Sequence, residues 1–235
     1  MMFPRRPPAA CSPAMLLACV LALPAGAQVV WNVNQPIPDG SSSGLADTRT
    51  LDLGDTPIQS VRVQLSISPT GTGGWTGDLY AYLQHGDDLA ILLNRPGRRD
   101  GNDAGYGDSG PITITLDAAS AHDIHDYRLP LTGSHDIPLS GPLTGVWQPD
   151  GRLVDPADVR SSSPRAAGLD VFGGQNPSGE WTLFIADLSQ GGTMRLDSWA
   201  LEVTLVPEPA AVAAGVGGLL LGWAAWRAAG RKRRA

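Results

Sequence analysis

The chain reads as an all-β protein, a β-sandwich or jelly roll of about eight short strands. Two observations predict this class. Several segments alternate apolar and polar residues with the period of two that gives a strand one buried and one wet face. Between them lie turn formers, with 29 Gly and 20 Pro among 235 residues, while 42% hydrophobic content and seven Trp argue against disorder. No stretch outside the two ends carries a convincing helical period.

Taken in order, the chain opens with Arg5 and Arg6, an apolar run over 15–23, and Ala25-Gly26-Ala27 before Gln28. That is the layout of a secretory signal peptide over 1–27. Leu16-Leu17-Ala18-Cys19 also resembles a lipoprotein box with Cys19 lipidated, but the apolar region continues past Cys19 to the Ala-Gly-Ala site. Residues 31–38 form a proline-punctuated lead-in ending in the turn Ile37-Pro38-Asp39-Gly40, and 41–44 are a loop. A strand pair is expected over 50–53 and 58–68, where Val61, Val63, Leu65 and Ile67 alternate with Arg62, Gln64, Ser66 and Ser68. After a turn at 69–74, a strand runs to Gln84 with Leu79, Ala81 and Leu83 on one face, and 89–93 is its expected partner.

Residues 94–110 are turn formers, Ile112, Ile114 and Leu116 mark another strand, and 117–151 is loop-rich with a short apolar piece over 127–131. A Ser- and Gly-rich stretch over 159–174 leads to 179–205, which reads as a β-hairpin. Trp181, Leu183 and Ile185 share a face of its first strand; Trp199, Leu201, Val203 and Leu205 alternate along its second; Ser189-Gln190-Gly191-Gly192 is the turn. The domain is therefore expected over 28–205.

Both cysteines, Cys11 and Cys19, precede that domain, so it has no disulfide or thiolate metal site of its own. Between 28 and 205 stand ten Arg and 22 Asp or Glu, a net charge of −12, which excludes nucleic acid as a natural partner. The basic residues are concentrated at the ends. Val206-Pro207-Glu208-Pro209 stops the last strand, 210–226 is uncharged and near the lower length limit for a transmembrane helix, and Arg231-Lys232-Arg233-Arg234 follows and would stay cytoplasmic.

Candidate sites are sparse. Gly40-Ser41-Ser42-Ser43-Gly44 matches a nucleophile-elbow pattern but lacks the strand before and helix after that the pattern needs. Ser134-His135-Asp136 holds triad residue types, but a triad is a spatial arrangement and adjacency says nothing of it. His122, Asp123, His125 and Asp126 would need one rigid element and a third ligand to bind zinc; solvated loop histidines are the plainer reading. Asp100, Asn102, Asp103 and Asp108 place four oxygen-bearing side chains within nine glycine-rich residues, a candidate calcium loop without EF-hand spacing. Asp78 and Asp187 each sit in an apolar strand, where an unpaired carboxylate is costly; a calcium ion or backbone N–H groups would answer them. Trp75, Tyr106 and Trp147 are candidates for stacking on sugar rings, with core packing as the alternative.

Two resemblances are visible in these motifs. The order Val206-Pro207-Glu208-Pro209, short apolar helix, Arg/Lys cluster resembles the PEP-CTERM sorting signal of Gram-negative bacteria. It implies recognition by an exosortase, transient residence in the inner membrane, removal of the tail, and delivery to the cell surface or exopolysaccharide matrix. Ile37-Pro38-Asp39, Trp75-Thr76-Gly77-Asp78-Leu79, Leu92-Leu93-Asn94-Arg95-Pro96-Gly97, Gly179-Glu180-Trp181-Thr182-Leu183 with Asp187, and Leu196-Asp197-Ser198-Trp199-Ala200-Leu201 look like the proprotein convertase P domain (Homo B). That resemblance implies a galactose-binding-like jelly roll, calcium binding in some such modules, and a position behind a subtilisin-type protease that this sequence does not contain. The expected function is non-catalytic adhesion or structural interaction in the extracellular matrix; the alternative is a calcium-assisted carbohydrate-binding module recognising exopolysaccharide.

Overall fold

The computed structural model describes residues 26–71 and 73–207. The expected transmembrane helix over 210–226, the basic tail, and all but the last two residues of the expected signal peptide lie outside these residues. Among the described residues no helix is long and apolar enough to cross a membrane.

Among the described residues nine strands form two sheets. One is ordered β1-β9-β3-β6-β7, from β1 (Gly26–Ile37), β9 (Thr193–Leu205), β3 (Ile58–Thr70), β6 (Ile112–Asp117) and β7 (Leu143–Trp147). The other is ordered β2-β8-β4-β5, from β2 (Leu45–Leu51), β8 (Gly179–Asp187), β4 (Leu79–His85) and β5 (Asp88–Asn94). The period-2 faces read from the sequence point inward: Val61, Val63, Leu65 and Ile67 meet Trp199, Leu201 and Val203 across β3 and β9, and Leu79, Ala81 and Leu83 meet Leu183 and Ile185 across β4 and β8. These side chains are buried in one common core with Trp181, Phe172 and Ile114. The expected partnership of β4 with residues 89–93 is present as β4–β5.

Three expectations are corrected by the strand pairing. Residues 179–205 are not a hairpin: β8 pairs β2 and β4, whereas β9 pairs β1 and β3 in the other sheet. The segment 188–192 is thus an arch that carries the chain from one layer to the other. Alternation identifies the buried face of a strand but is the same whether the next strand lies beside it or opposite it. Residues 31–38 are not a lead-in: as far as Ile37 they are the end of edge strand β1, paired with β9 through a bulge between Asn32 and Gln35 where Asn34 has φ 54°. An edge position is where Pro36 does least harm. Of the strand expected over 50–53 only Thr50 and Leu51 are strand, as the end of β2, and its neighbour is β8 rather than β3.

Within the loop-rich stretch one further strand, β7, lies parallel to β6. A parallel pair needs a long crossover. Here it carries the five-residue helix α1 (Arg128–Thr132) and a 3₁₀ turn at Ile124–Asp126.

Candidate functional site

Four connections meet at one end of the two sheets: β1–β2, β3–β4, β5–β6 and β8–β9. Backbone hydrogen bonds tie them together. Ser41 N donates to Asp187 O at 2.8 Å, Leu188 N to Asp78 O at 2.9 Å, Gly77 N to Tyr106 O at 2.8 Å and Arg95 N to Leu79 O at 2.8 Å. Gly192 backs onto the Gly73 carbonyl so closely that a Cβ there would strike it. Arg95 holds a left-handed backbone with φ 48°. Its guanidinium is thereby turned across the loop end, where Nε donates to Gly77 O at 3.1 Å and Nη2 to Asp78 Oδ1 at 3.3 Å and Ser189 Oγ at 3.1 Å.

This arrangement brings together Asp78 and Asp187, the two aspartates singled out in the sequence, and adds Asp39, Arg95 and Ser189, which it did not single out. Asp78 is 5% exposed and Asp187 1%. Burial pushes the Asp78 carboxyl up against the opposing pull of Ser189 and Arg95. Burial, with the charges of Asp78 and Asp39, pushes Asp187 up to about 6, against one backbone hydrogen bond from Ser189. Asp39 accepts from Gly191 N at 3.4 Å. Trp75 stands at the same end, 46% exposed, with its ring edge against Gly191. The motif Asn94-Arg95-Pro96-Gly97 was the only sequence signal for the role of Arg95.

The raised value of Asp187 fixes the sign of its contribution to stability. Its folded value exceeds the ordinary 3.8, so the group favours the fold most below that pH, and the advantage disappears as the pH rises through about 6. Asp187→Asn is expected to raise stability at pH 7.5 by on the order of 1–3 kcal/mol, with the gain shrinking toward pH 4. Urea titrations of both proteins across that range measure it.

The other acidic candidates are placed apart. Asp108 does not face the glycine-rich loop. It turns inward to accept from Tyr127 OH at 2.6 Å, Arg128 Nε at 2.8 Å and Nη2 at 2.9 Å, and Leu139 N at 2.8 Å. Burial works against that carboxylate, but Arg128 and Tyr127 outweigh it and hold Asp108 below the ordinary carboxylate value. The side chains of Asp100 and Asp103 are 98% and 76% exposed and lie 3.8 and 2.7 Å from Arg160, while Asn102 Nδ2 donates to Gly105 O at 3.0 Å. The four oxygens therefore do not form the calcium cage expected of them. Among the described residues no group of three or more His, Cys, Asp or Glu is placed to hold a metal ion.

Two sugar-stacking candidates are also corrected. Tyr106 is fully buried, edge-on to Tyr127 at 4.8 Å and under the Arg128 guanidinium at 4.5 Å. Trp147 is 4% exposed, its Nε1 donating to Thr144 O at 2.9 Å. Of the three aromatics, only Trp75 faces solvent.

The histidine-rich crossover is likewise not a zinc site. His125 is fully buried between Asp150 Oδ2, 2.7 Å from Nδ1, and the Arg98 carbonyl oxygen, 2.9 Å from Nε2. Asp123 instead accepts from Arg152 Nη2 at 2.8 Å, and Asp126 from Ser161 Oγ at 2.8 Å. Ser134, His135 and Asp136 are no triad: His135 Nδ1 is 2.5 Å from Tyr106 OH, and Asp136 accepts from Arg99 at 2.7 Å. The loop holding Ser41, Ser42 and Ser43 joins two strands, with no helix behind it.

No family model matches the chain, and no curated protein matches it. Among solved structures it is similar to the serine protease of Aeromonas sobria, at 17% identity over 81% of this chain with a TM-score of 0.41. It is also similar to the complex of Aeromonas sobria serine protease with its chaperone, at 15% identity over 82% of this chain with a TM-score of 0.42. The chain spans 29% of the length of each.

Proposed function

We propose that the chain is an exported, non-catalytic surface or matrix protein of a Gram-negative bacterium, a galactose-binding-like jelly roll similar to the P domain that acts in adhesion or structural interaction. In this reading a signal peptide exports it, a helix over 210–226 holds it briefly in the inner membrane, and an exosortase processes it. The observation that carries the reading is the junction at the end of the domain. Strand β9 ends at Leu205, Val206 N donates to Pro57 O, and Pro207-Glu208-Pro209 follows in the sequence. The sorting motif would then begin directly after β9. Mass spectrometry of the mature protein from an exosortase-bearing host is expected to show a C-terminus near Glu208; an intact Arg231-Lys232-Arg233-Arg234 would count against the reading.

The second reading is a carbohydrate-binding module recognising exopolysaccharide, with calcium assisting. It is favoured by the exposed Trp75 beside Asp39 and Asp187. A glycan array probed with and without chelator tests it, and silence under both conditions would remove it.

A further inference from the structure

We infer that the chain pairs with a second copy of itself through strand β1. Two β1 strands lie antiparallel about a two-fold axis at Val30 and join the two five-stranded sheets into one. The inference goes beyond the export and adhesion reading and does not depend on it.

The four sheet edges are unlike one another. β2 carries Asp47 and Arg49 on its partly buried face, paired at 2.9 Å, and charges turned inward keep a further strand off an edge. β5 is covered by the stretch 150–167: Ile91 N donates to Ala167 O at 2.8 Å, and Asp150 N and Gly151 N donate to Leu92 O and Ile91 O at 3.1 and 2.9 Å. β7 is five residues long, and Ser120 Oγ donates to Val146 O at 2.9 Å. Over 26–32, β1 has none of these guards among the described residues. Its twelve residues include no charge, and among the described residues its backbone bonds only to β9. The bulge after Asn32 and Pro36 protect only its far end. Such an edge presents a row of free N–H and C=O groups to a further strand.

The side chains of β1 say which strand fits. Trp31 and Val33 pack against the core, Trp31 on Trp199 at 4.4 Å, yet Val29, Trp31 and Val33 are only partly buried. On the opposite face Val30 is 59% exposed between Gln28 and Asn32. A strand laid beside β1 must therefore be apolar on the core side and apolar at one point of a polar outer face. β1 itself has that pattern. With the axis at Val30, antiparallel pairing sets Val29 against Trp31, Gln28 against Asn32 and Val30 against its own copy, and opposed residues share a face. Sliding the register by one residue would set core-side residues against outward ones. Sliding it by two would set Val30 against Gln28 or Asn32. All three pairs lie within 28–32, so they survive a cut after Ala27.

Charge permits the approach. The body carries a net −12, but the charges flanking β1 are compensated in pairs. Glu202, opposite Gln28, is 3.8 Å from Arg62; Asp197 is 2.6 Å from Arg195; Asp47 is 2.9 Å from Arg49. The contact is isologous and uses β1 of both copies, so it closes at two instead of propagating into a fibre.

The test is sedimentation equilibrium of the purified full-length protein and its variants. The wild type is expected to be a dimer that dissociates on dilution. Val30→Lys sets two ammonium groups face to face on the axis and should raise the dissociation constant by about tenfold or more. Val30→Thr keeps a β-branched side chain and should leave it within about threefold. In a Cys11→Ser, Cys19→Ser background, Val30→Cys supplies the sole cysteine. Mild oxidation should link it into a covalent dimer, since opposed strand positions lie within disulfide reach, whereas Ala46→Cys on edge β2 should stay unlinked. A wild type that is monomeric at every concentration overturns the inference. So does a dimer that survives Val30→Lys, or a Val30→Cys chain that stays unlinked, because the contact would then lie elsewhere. Species that keep growing beyond two with concentration overturn it as well, since they mean an open edge and not a closed pair.

Discussion

Asp150→Ala is expected to destabilise the domain by about 3–5 kcal/mol, because it leaves buried positive charge without its counter-charge. Asp150 is fully buried and every hydrogen-bond partner of its carboxylate is a donor. Oδ2 receives His125 Nδ1 at 2.7 Å and Asn94 N at 3.2 Å, and Oδ1 receives Arg152 N at 3.4 Å and Nη1 at 3.2 Å. Such a set holds it as a carboxylate. His125 Nε2 faces the Arg98 carbonyl, which can only accept, so this ring nitrogen carries hydrogen and the ring is an imidazolium beside Asp150. Burial pulls the His125 value down, but the hydrogen bond and charge of Asp150 outweigh it and hold it above the ordinary 6.5.

The sign follows from that direction. A raised folded value means that the contribution of His125 is complete below pH 6.5 and is lost as the pH climbs through the folded value. Denaturation midpoints of the wild type should therefore decline on the alkaline side, and Asp150→Ala should be less stable throughout and lack that decline. A variant within 1 kcal/mol of the wild type at pH 6 would show that the pair is not a carboxylate and an imidazolium. The effect should extend along the loop, since Gly97 N donates to His125 O at 2.7 Å and Arg95 stands two residues earlier on the same segment.

Trp181→Ala is the second large expected loss, again about 3–5 kcal/mol, by creating a cavity in the core. The indole is fully buried, stacked on His85 at 4.0 Å and 3° and edge-on to Phe172 at 5.1 Å, with Nε1 donating to Pro177 O at 3.0 Å. His85 is held in turn, its ring nitrogens each 2.8 Å from the carbonyl oxygens of Glu180 and Asn176. Substituting Trp181 removes the wall between β8, β4 and the segment before β8. The urea midpoint should fall with an unchanged slope, as for a change in stability alone. A loss under 1 kcal/mol would mean that Phe172 and His85 close the space.

The inward faces of β3, β4, β6, β8 and β9 were legible in the sequence because alternation on a pleated strand is local: each residue reports its own side. The neighbours of those strands were not legible. Residues 179–205 show it most plainly, since Trp181 and Trp199 face one core from opposite layers and the same alternation would serve a hairpin. Tyr106 and Trp147 lie in glycine- and proline-rich stretches that read as exposed, and the crossover between β6 and β7 buries them. Asp108 reads as one of four loop oxygens until Arg128, twenty residues on, is brought against it.

By itself the sequence determined the all-β class, the buried face of each alternating strand, the acidity of the body and the order of the motifs at the C-terminal end, because composition and period are properties of the chain. Only the tertiary structure decided which sheet each strand joins. It also decided that Asp39, Asp78, Arg95 and Asp187 meet at one end of the two sheets with Trp75 in the open beside them. Those residues come from three connections and the end of β8, which have no local reason to be near one another. What brings them together is closure of the two sheets over a common core, a long-range property that no window of sequence contains.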